Sequence, residues 1–194
     1  MFSPDGKHFA YRYHAGNQDF VFVDGVKGMA GYLHLDGIGV TVKNDPIAFS
    51  PDSSKVVYMG FNNNNDYLVY GGEESDAVPQ ILEGAFSTVG GHYLGTGFGI
   101  VHLDGKILKL PNVVRNRDQA TNLGFSPDGS HYAFVIRTAG VYTLYVDGMP
   151  QSAYYWAGAG GSANKAATAY AFSPDSKHIA YFCRSSNPAA GNDI

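Results

Sequence analysis

The sequence predicts an all-β chain of repeated four-stranded antiparallel units, and three observations carry that expectation. One phrase occurs four times, as Phe2-Ser-Pro-Asp-Gly, Phe49-Ser-Pro-Asp-Ser, Phe125-Ser-Pro-Asp-Gly and Phe172-Ser-Pro-Asp-Ser. Alternating apolar runs follow the copies, and the later run of a unit ends in a glycine-bearing pair. The chain also holds 25 Gly, 14 Tyr and 12 Phe at a charged fraction of 15%, with no long segment that sustains a 3.6-residue apolar stripe. Such a composition suits closely turned aromatic strands rather than helices.

The elements of one unit follow in order. Phe2, Phe49, Phe125 and Phe172 close a strand A. The Ser-Pro-Asp-Gly that follows is a tight corner, with serine at position i of a type I turn, proline pre-setting the backbone at i+1 and glycine at i+3. Strand B comes next, with large residues in alternation at Phe9, Tyr11 and Tyr13, at Tyr132, Phe134 and Ile136, and at Ile179, Tyr181 and Cys183. The positions between are not uniformly polar, since Ala10, Val57, Leu94, Ala133 and Ala180 are equivalent, so both faces of the sheet are expected to be covered. Strand C runs through Phe20–Val23, Tyr67–Tyr70, Phe98–Leu103 and Val141–Val146. It ends at Asp24-Gly25, Gly71-Gly72, Asp104-Gly105 and Asp147-Gly148, pairs that tolerate the positive φ of a two-residue hairpin and lead straight into strand D.

The distance from Phe49 to Phe125 is too long for one unit, and a worn copy fills it. Phe86-Ser87 opens the gap's second half, and Gly91-His92-Tyr93-Leu94 follows as Lys7-His8-Phe9-Ala10 follows the first copy. Unit starts at Phe2, Phe49, Phe86, Phe125 and Phe172 are then spaced by 47, 37, 39 and 47 residues, the period of a β-propeller blade. Five units are expected within residues 1–194, read as one domain. The first and last are incomplete, with three strands in the first, four in each of the next three and two in the last. From Phe2 to Phe125 and from Phe49 to Phe172 the step is the same 123 residues, which points to a three-unit period and a larger ring of six or seven blades.

The corner Phe-Ser-Pro-Asp-Gly-Lys-x-apolar-Ala-Tyr, followed by a strand ending in Asp-Gly, resembles the WD-like repeat of TolB-type β-propellers, shared with the propellers of prolyl oligopeptidase relatives. The resemblance covers nearly the whole chain. It implies a scaffold rather than a reaction, because the same repeat serves many unrelated proteins. It also implies a bacterial periplasmic or secreted setting. The third copy departs from the pattern by losing Pro-Asp.

Composition narrows the partners. A net charge of −4 with 13 scattered basic residues argues against a nucleic-acid surface. No apolar stretch approaches the roughly 20 residues of a membrane span. Cys183 is the single cysteine, so no intrachain disulfide forms, and its place on strand B makes it a small buried hydrophobe. The open β edges of incomplete units invite self-association.

No catalytic signature is present: there is no Gly-x-Ser-x-Gly elbow, His-Glu-x-x-His, phosphate loop or cysteine pair. Four of the seven histidines, His8, His92, His131 and His178, share one repeat position just after the corner. Residues placed once per blade do not converge on a metal, so no metal or cofactor is expected and a packing role near the turn is. The A–B and C–D corners are tight, whereas the B–C and D–A connections hold the length. These two sets lie at opposite ends of an up-and-down blade, which makes the long-loop face the place for binding.

Three features mark that face. Asn62-Asn63-Asn64-Asn65-Asp66 offers amides and a carboxylate to a sugar or cation, although such a run more commonly forms a turn. Tyr154, Tyr155 and Trp156 offer aromatic stacking, or else continue strand D. Arg137 offers a charge to an acidic partner, or a solvated loop arginine. The expected function is a noncatalytic propeller scaffold binding a protein, peptide or glycan. A substrate-gating propeller of a larger enzyme, or a structural repeat of a surface assembly, is the alternative.

Overall fold

The structure, a computed structural model, describes residues 1–16, 18–31, 47–62, 65–75, 83–97, 99–111, 113–114, 118–138, 141–154 and 170–181. The described residues form five antiparallel sheets, each a meander in which every strand pairs with its neighbour in sequence. The first sheet holds β1 (Ala10–Ala15), β2 (Gln18–Val23) and β3 (Val26–Gly31). The second holds β4 (Ile47–Phe49), β5 (Val56–Asn62), β6 (Asn65–Tyr70) and β7 (Glu73–Glu74). The third holds β8 (Glu83–Phe86), β9 (Tyr93–Gly97), β10 (Ile100–Leu103) and β11 (Lys106–Ile107). The fourth holds β12 (Gln119–Phe125), β13 (Tyr132–Thr138), β14 (Val141–Val146) and β15 (Met149–Tyr154), and the fifth β16 (Tyr170–Phe172) and β17 (Ile179–Tyr181). The blade-like units and their strand numbers are those the repeat predicts, and Phe49, Phe86, Phe125 and Phe172 each end a first strand.

One corner design recurs. The Ser3 carbonyl accepts the Gly6 amide at 2.9 Å, and Ser50 with Ser53, Ser126 with Gly129 and Ser173 with Ser176 repeat the bond at the same length. The serine hydroxyl then donates to the aspartate two residues on, at 2.7 Å for Ser3 and Asp5 and 2.7 Å for Ser126 and Asp128. The same oxygen accepts the amide five residues on, from His8 and from His131 at 3.0 Å. In the third unit Ser87 donates instead to the Val89 carbonyl at 2.7 Å and still accepts the His92 amide at 2.8 Å. Losing Pro-Asp changes the serine's acceptor and leaves the corner standing. At the other hairpin, Asp24 and Gly25, Asp104 and Gly105, and Asp147 and Gly148 all take positive φ, as a twist-matched two-residue turn requires.

Sheets stack face to face in chain order, and the period of two decides which neighbour each side chain meets. In β13, Phe134 and Ile136 join Leu94 and Val101 of the third sheet, while Ala133 and Val135 join Tyr170 of the fifth. In β5, Val56 and Tyr58 face Ala10 and Val21 of the first sheet, while Val57 packs with Tyr93 and Ile100 of the third. Strands buried on both sides cannot alternate polar with apolar, which is why the intervening positions carry Ala, Val and Leu. Fully burying a side chain such as Phe134 contributes roughly 1.5–3 kcal/mol.

The end sheets depart from the expected two-sided cover. Ala10 is 1% exposed against the second sheet, but Tyr11 is 43% and Tyr13 53% exposed on the opposite face. In β17 and β16 the small Ala180 and Ala171 are exposed in turn. Each of these sheets has one described neighbour rather than two, so half of its apolar pattern faces outward. Cys183 and the later part of the expected fifth unit lie outside the described residues.

Close backbone approach explains Gly124. A Cβ there would lie 2.8 Å from the Tyr170 hydroxyl, which reaches the carbonyls of Asn122 at 2.7 Å and Ala133 at 2.8 Å. The register between β12 and β13 shifts at this point, with Asn122 at φ 55. A bulge and a glycine together let the fifth sheet hydrogen-bond into the fourth.

Candidate binding face

Each meander has two ends. One carries the A–B corners and C–D hairpins; the other carries the B–C hairpins and D–A connections.

At the corner end, three histidine–aspartate pairs join the two turns of a unit. His8 Nδ1 lies 2.7 Å from Asp24 Oδ2, His92 Nδ1 2.8 Å from Asp104 Oδ2, and His131 Nδ1 2.7 Å from Asp147 Oδ2. The other oxygen of each carboxylate accepts the amide that follows the histidine, from Phe9 at 3.0 Å, Tyr93 at 2.9 Å and Tyr132 at 3.0 Å. A histidine of the first corner therefore ties down the aspartate of the second. The pairs are partly exposed, so they serve mainly to fix the two turns against each other.

These pairs are the geometry that sequence reasoning missed at this end, although a signal was there. Units one, three and four have both the histidine and the Asp-Gly, and unit two has neither, carrying Lys55 and Gly71 instead. Co-occurrence of two residue types across the units marks contact. The packing role expected of the histidines thus has a specific partner in three units. Where the pair is missing, a cleft of about 410 Å³ opens between the second and third sheets, lined by Lys55, Tyr70, Glu73, Asp104 and Lys106. Burial of its ring, and then the nearby Asp104 carboxylate, push the Tyr70 hydroxyl pKa above its usual value, so it stays a donor, to the Gly91 carbonyl at 2.9 Å.

Carboxylates of the corners are held ionised. The Ser3 hydroxyl and then the Lys7 amide lower Asp5 to about 2. Asp128 is lowered by Ser126 and Ser130, Asp52 by Ser50, Asp175 by Ser173, and Asp24 by the Phe9 amide and then by His8.

The opposite end holds the sequence-predicted site residues. Asn62 pairs with Asn65, and Phe61 with Asp66, so the asparagine run sits at the tip of the β5–β6 hairpin. Asn63 and Asn64 lie outside the described residues, as do the side chains of Asn62, Asn65 and Asp66. Arg137 is exposed near the tip of the β13–β14 hairpin, where it pairs with Tyr142 and holds its guanidinium carbon 5.9 Å from that ring's centre. Tyr154 ends β15, and Tyr155 and Trp156 lie outside the described residues. Topology thus brings Arg137 and the asparagine hairpin to the same end, in sheets two places apart. Among the described residues no three His, Cys, Asp or Glu side chains gather as a metal site, and no helix is long and apolar enough to cross a membrane.

The fold defines the chain as an all-β repeat protein of four-stranded blade-like sheets. No protein-family model matches it, and no curated protein does. Among solved structures it is similar to TolB from Acinetobacter baumannii, 18% identical with a TM-score of 0.38 over 96% of this chain and 48% of that one. It is also similar to Kuenenia stuttgartiensis hydrazine synthase, 16% identical with a TM-score of 0.35 over 74% of this chain and 50% of that one. The chain spans about half the length of each. At this distance neither likeness adds to what the sheets themselves define.

Proposed function

We propose that the protein is a noncatalytic β-propeller scaffold that binds a protein, peptide or glycan on the face of the B–C hairpins and D–A connections. The observation that supports this reading is the division between the two ends. At the corner end the Ser3 hydroxyl donates to Asp5 and the His8 and His131 rings pair with Asp24 and Asp147, whereas Arg137 at the other end is exposed, its guanidinium carbon 5.9 Å from the centre of the Tyr142 ring. A rigid scaffold with its connections gathered at one end is the usual arrangement for recognition. Membership of the TolB-type repeat family belongs to the same reading, supported by the Phe-Ser-Pro-Asp corner and the Asp-Gly hairpin.

Peptide and glycan arrays probed with the folded protein test it, with the fluorescence of the single tryptophan, Trp156, as the solution readout. Binding that is lost in Arg137→Glu or Trp156→Ala and kept in Lys7→Glu at the corner end is the expected result. Arrays that stay silent for a folded sample, or binding abolished by Lys7→Glu alone, overturn the reading.

A further inference from the structure

The corner end has one place where its own repeat is broken. In units one, three and four the aspartate of the C–D hairpin turns its side chain back onto strand B, where one oxygen takes a backbone amide and the other an imidazole. The backbone that sets this up is shared by the second unit. Asp24, Asp104 and Asp147 stand at φ 50, 53 and 50, and Gly71 stands at φ 58. The amides of those aspartates bond to the carbonyls of Phe9, Tyr93 and Tyr132 at 2.9 Å, and the Gly71 amide bonds to that of Val56 at 2.8 Å. Val56 is therefore the counterpart of Phe9, Tyr93 and Tyr132, and Lys55 that of the three histidines. What the second unit lacks is the carboxylate that joins them.

The side chain nearest that place is a cation. A Cβ at Gly71 would lie 3.1 Å from Lys55 Cδ and 3.5 Å from Lys55 Nζ, and the same ammonium lies 5.8 Å from the centre of the Tyr70 ring. The cleft between the second and third sheets opens here, with Tyr70, Leu103 and Leu108 half-buried in its wall and Lys55, Lys106 and Glu73 exposed. Among the described residues none of those three exposed groups forms an ion pair, which leaves one ammonium in excess. Asp104 also lines the cleft, but its oxygens hold His92 and the Tyr93 amide.

We infer that this cleft is a binding site for a monocarboxylate with an apolar stem, whose carboxylate supplies the one missing at Gly71. One oxygen accepts the Val56 amide as Asp24 accepts that of Phe9, and the other meets the Lys55 ammonium as Asp24 meets His8. A carboxylate takes both donors at once, whereas an amide offers no charge to the lysine. The stem lies along Tyr70, Leu103 and Leu108. Lys106 adds attraction for one negative charge, and Glu73 repels a second. The site is distinct from the binding face proposed above, which lies at the opposite end of the sheets.

Amide NMR on the whole protein reads the site directly. Hexanoate is the probe for a free acid, N-acetylleucine the probe for a peptide C-terminus, and hexanamide the uncharged control. Exposed lysine–carboxylate contacts are weak, so the dissociation constants are on the order of millimolar. Either acid moves the Val56 amide downfield, while the amides of Phe9 and Tyr132, already bonded to their own aspartates, stay in place. The acid that moves Val56 at the lower concentration identifies the source. Hexanamide moves none of these amides. Lys55→Gln weakens binding by about fivefold or more. Gly71→Asp builds the carboxylate in, on a backbone that three aspartates already adopt, so Val56 moves downfield without ligand and no longer responds to either acid. Lys55→Gln keeps the backbone of the corner and tests the charge even where Gly71→Asp fails to fold. A Val56 amide that neither acid moves, one that hexanamide moves equally, or binding unchanged in Lys55→Gln or in a folded Gly71→Asp overturns the inference.

Discussion

Ser53 has φ 65, a left-handed backbone that costs a residue with a Cβ about 1–2 kcal/mol. Its hydroxyl accepts the Asp5 amide at 3.0 Å, which links the corners of the first and second units. Ser176, at φ 61, accepts the Asp128 amide at 3.1 Å and links the fourth to the fifth. Gly6 and Gly129 hold the same corner position in units one and four, so serine stands there only where it reaches back to the preceding unit. Two substitutions separate the opposed contributions. Ser53→Ala keeps the left-handed backbone and deletes the bond, at a cost of about 1 kcal/mol. Ser53→Gly deletes the same bond but relieves the backbone, less the added chain entropy of glycine, so it stays within about 0.5 kcal/mol of the parent. The glycine variant is then the more stable of the two by about 1 kcal/mol. Urea unfolding with unchanged slopes measures both differences. An alanine variant as stable as the parent means that the hydroxyl contributes nothing between the units. A glycine variant no more stable than alanine means that the corner holds no strain. Either result refutes the reasoning.

Other expectations follow from the same corners and ladders. Gly129→Ala destabilises more than Gly6→Ala in urea titrations, because both carry positive φ but only Gly129 would drive a Cβ to 2.6 Å from the Val89 carbonyl. Phe134→Ala costs about 3–5 kcal/mol, while Tyr11→Ala at the equivalent exposed position costs about 1 kcal/mol or less. Asp104→Ala is more damaging than His92→Ala by thermal unfolding, since the carboxylate also accepts the Tyr93 amide, a backbone bond that the histidine substitution leaves in place. Acid sensitivity follows from the depressed carboxylates. Asp5 has a folded pKa of about 2 against 3.8, so its contribution is complete above pH about 4 and is lost as pH falls toward 2. Carboxyl titration by NMR that places Asp5 near its ordinary value would contradict this.

Local chemistry was the legible part of the sequence. The corner and its glycine, the Asp-Gly hairpins and the position of the worn copy at Phe86 all depend on residues within a few positions of one another. What escaped depends on a neighbour. Tyr11 and Phe134 occur in the same alternation, yet one is exposed and the other buried, because exposure is decided by the adjacent sheet and not by the strand. The serine at Ser53 reads as a blunted glycine until its hydroxyl is seen to meet a residue from the preceding unit. Paired His8 and Asp24 are 16 residues apart and belong to different turns, so only comparison between units links them. On the candidate face, topology followed from the spacing of the strands. The chemistry of the asparagine hairpin rests on side chains that lie outside the described residues.

Among the described residues each sheet shares its hydrophobic core only with the sheets beside it in the chain. Mechanically the protein is a row of coupled springs, and its free energy is a sum taken along that row. The second, third and fourth sheets, clamped from both sides, should exchange their amide hydrogens last, while the first and fifth fray at lower cost. Damage to Phe134 would then not soften the molecule evenly. It would cut the row in the middle, leaving two short stacks that melt separately.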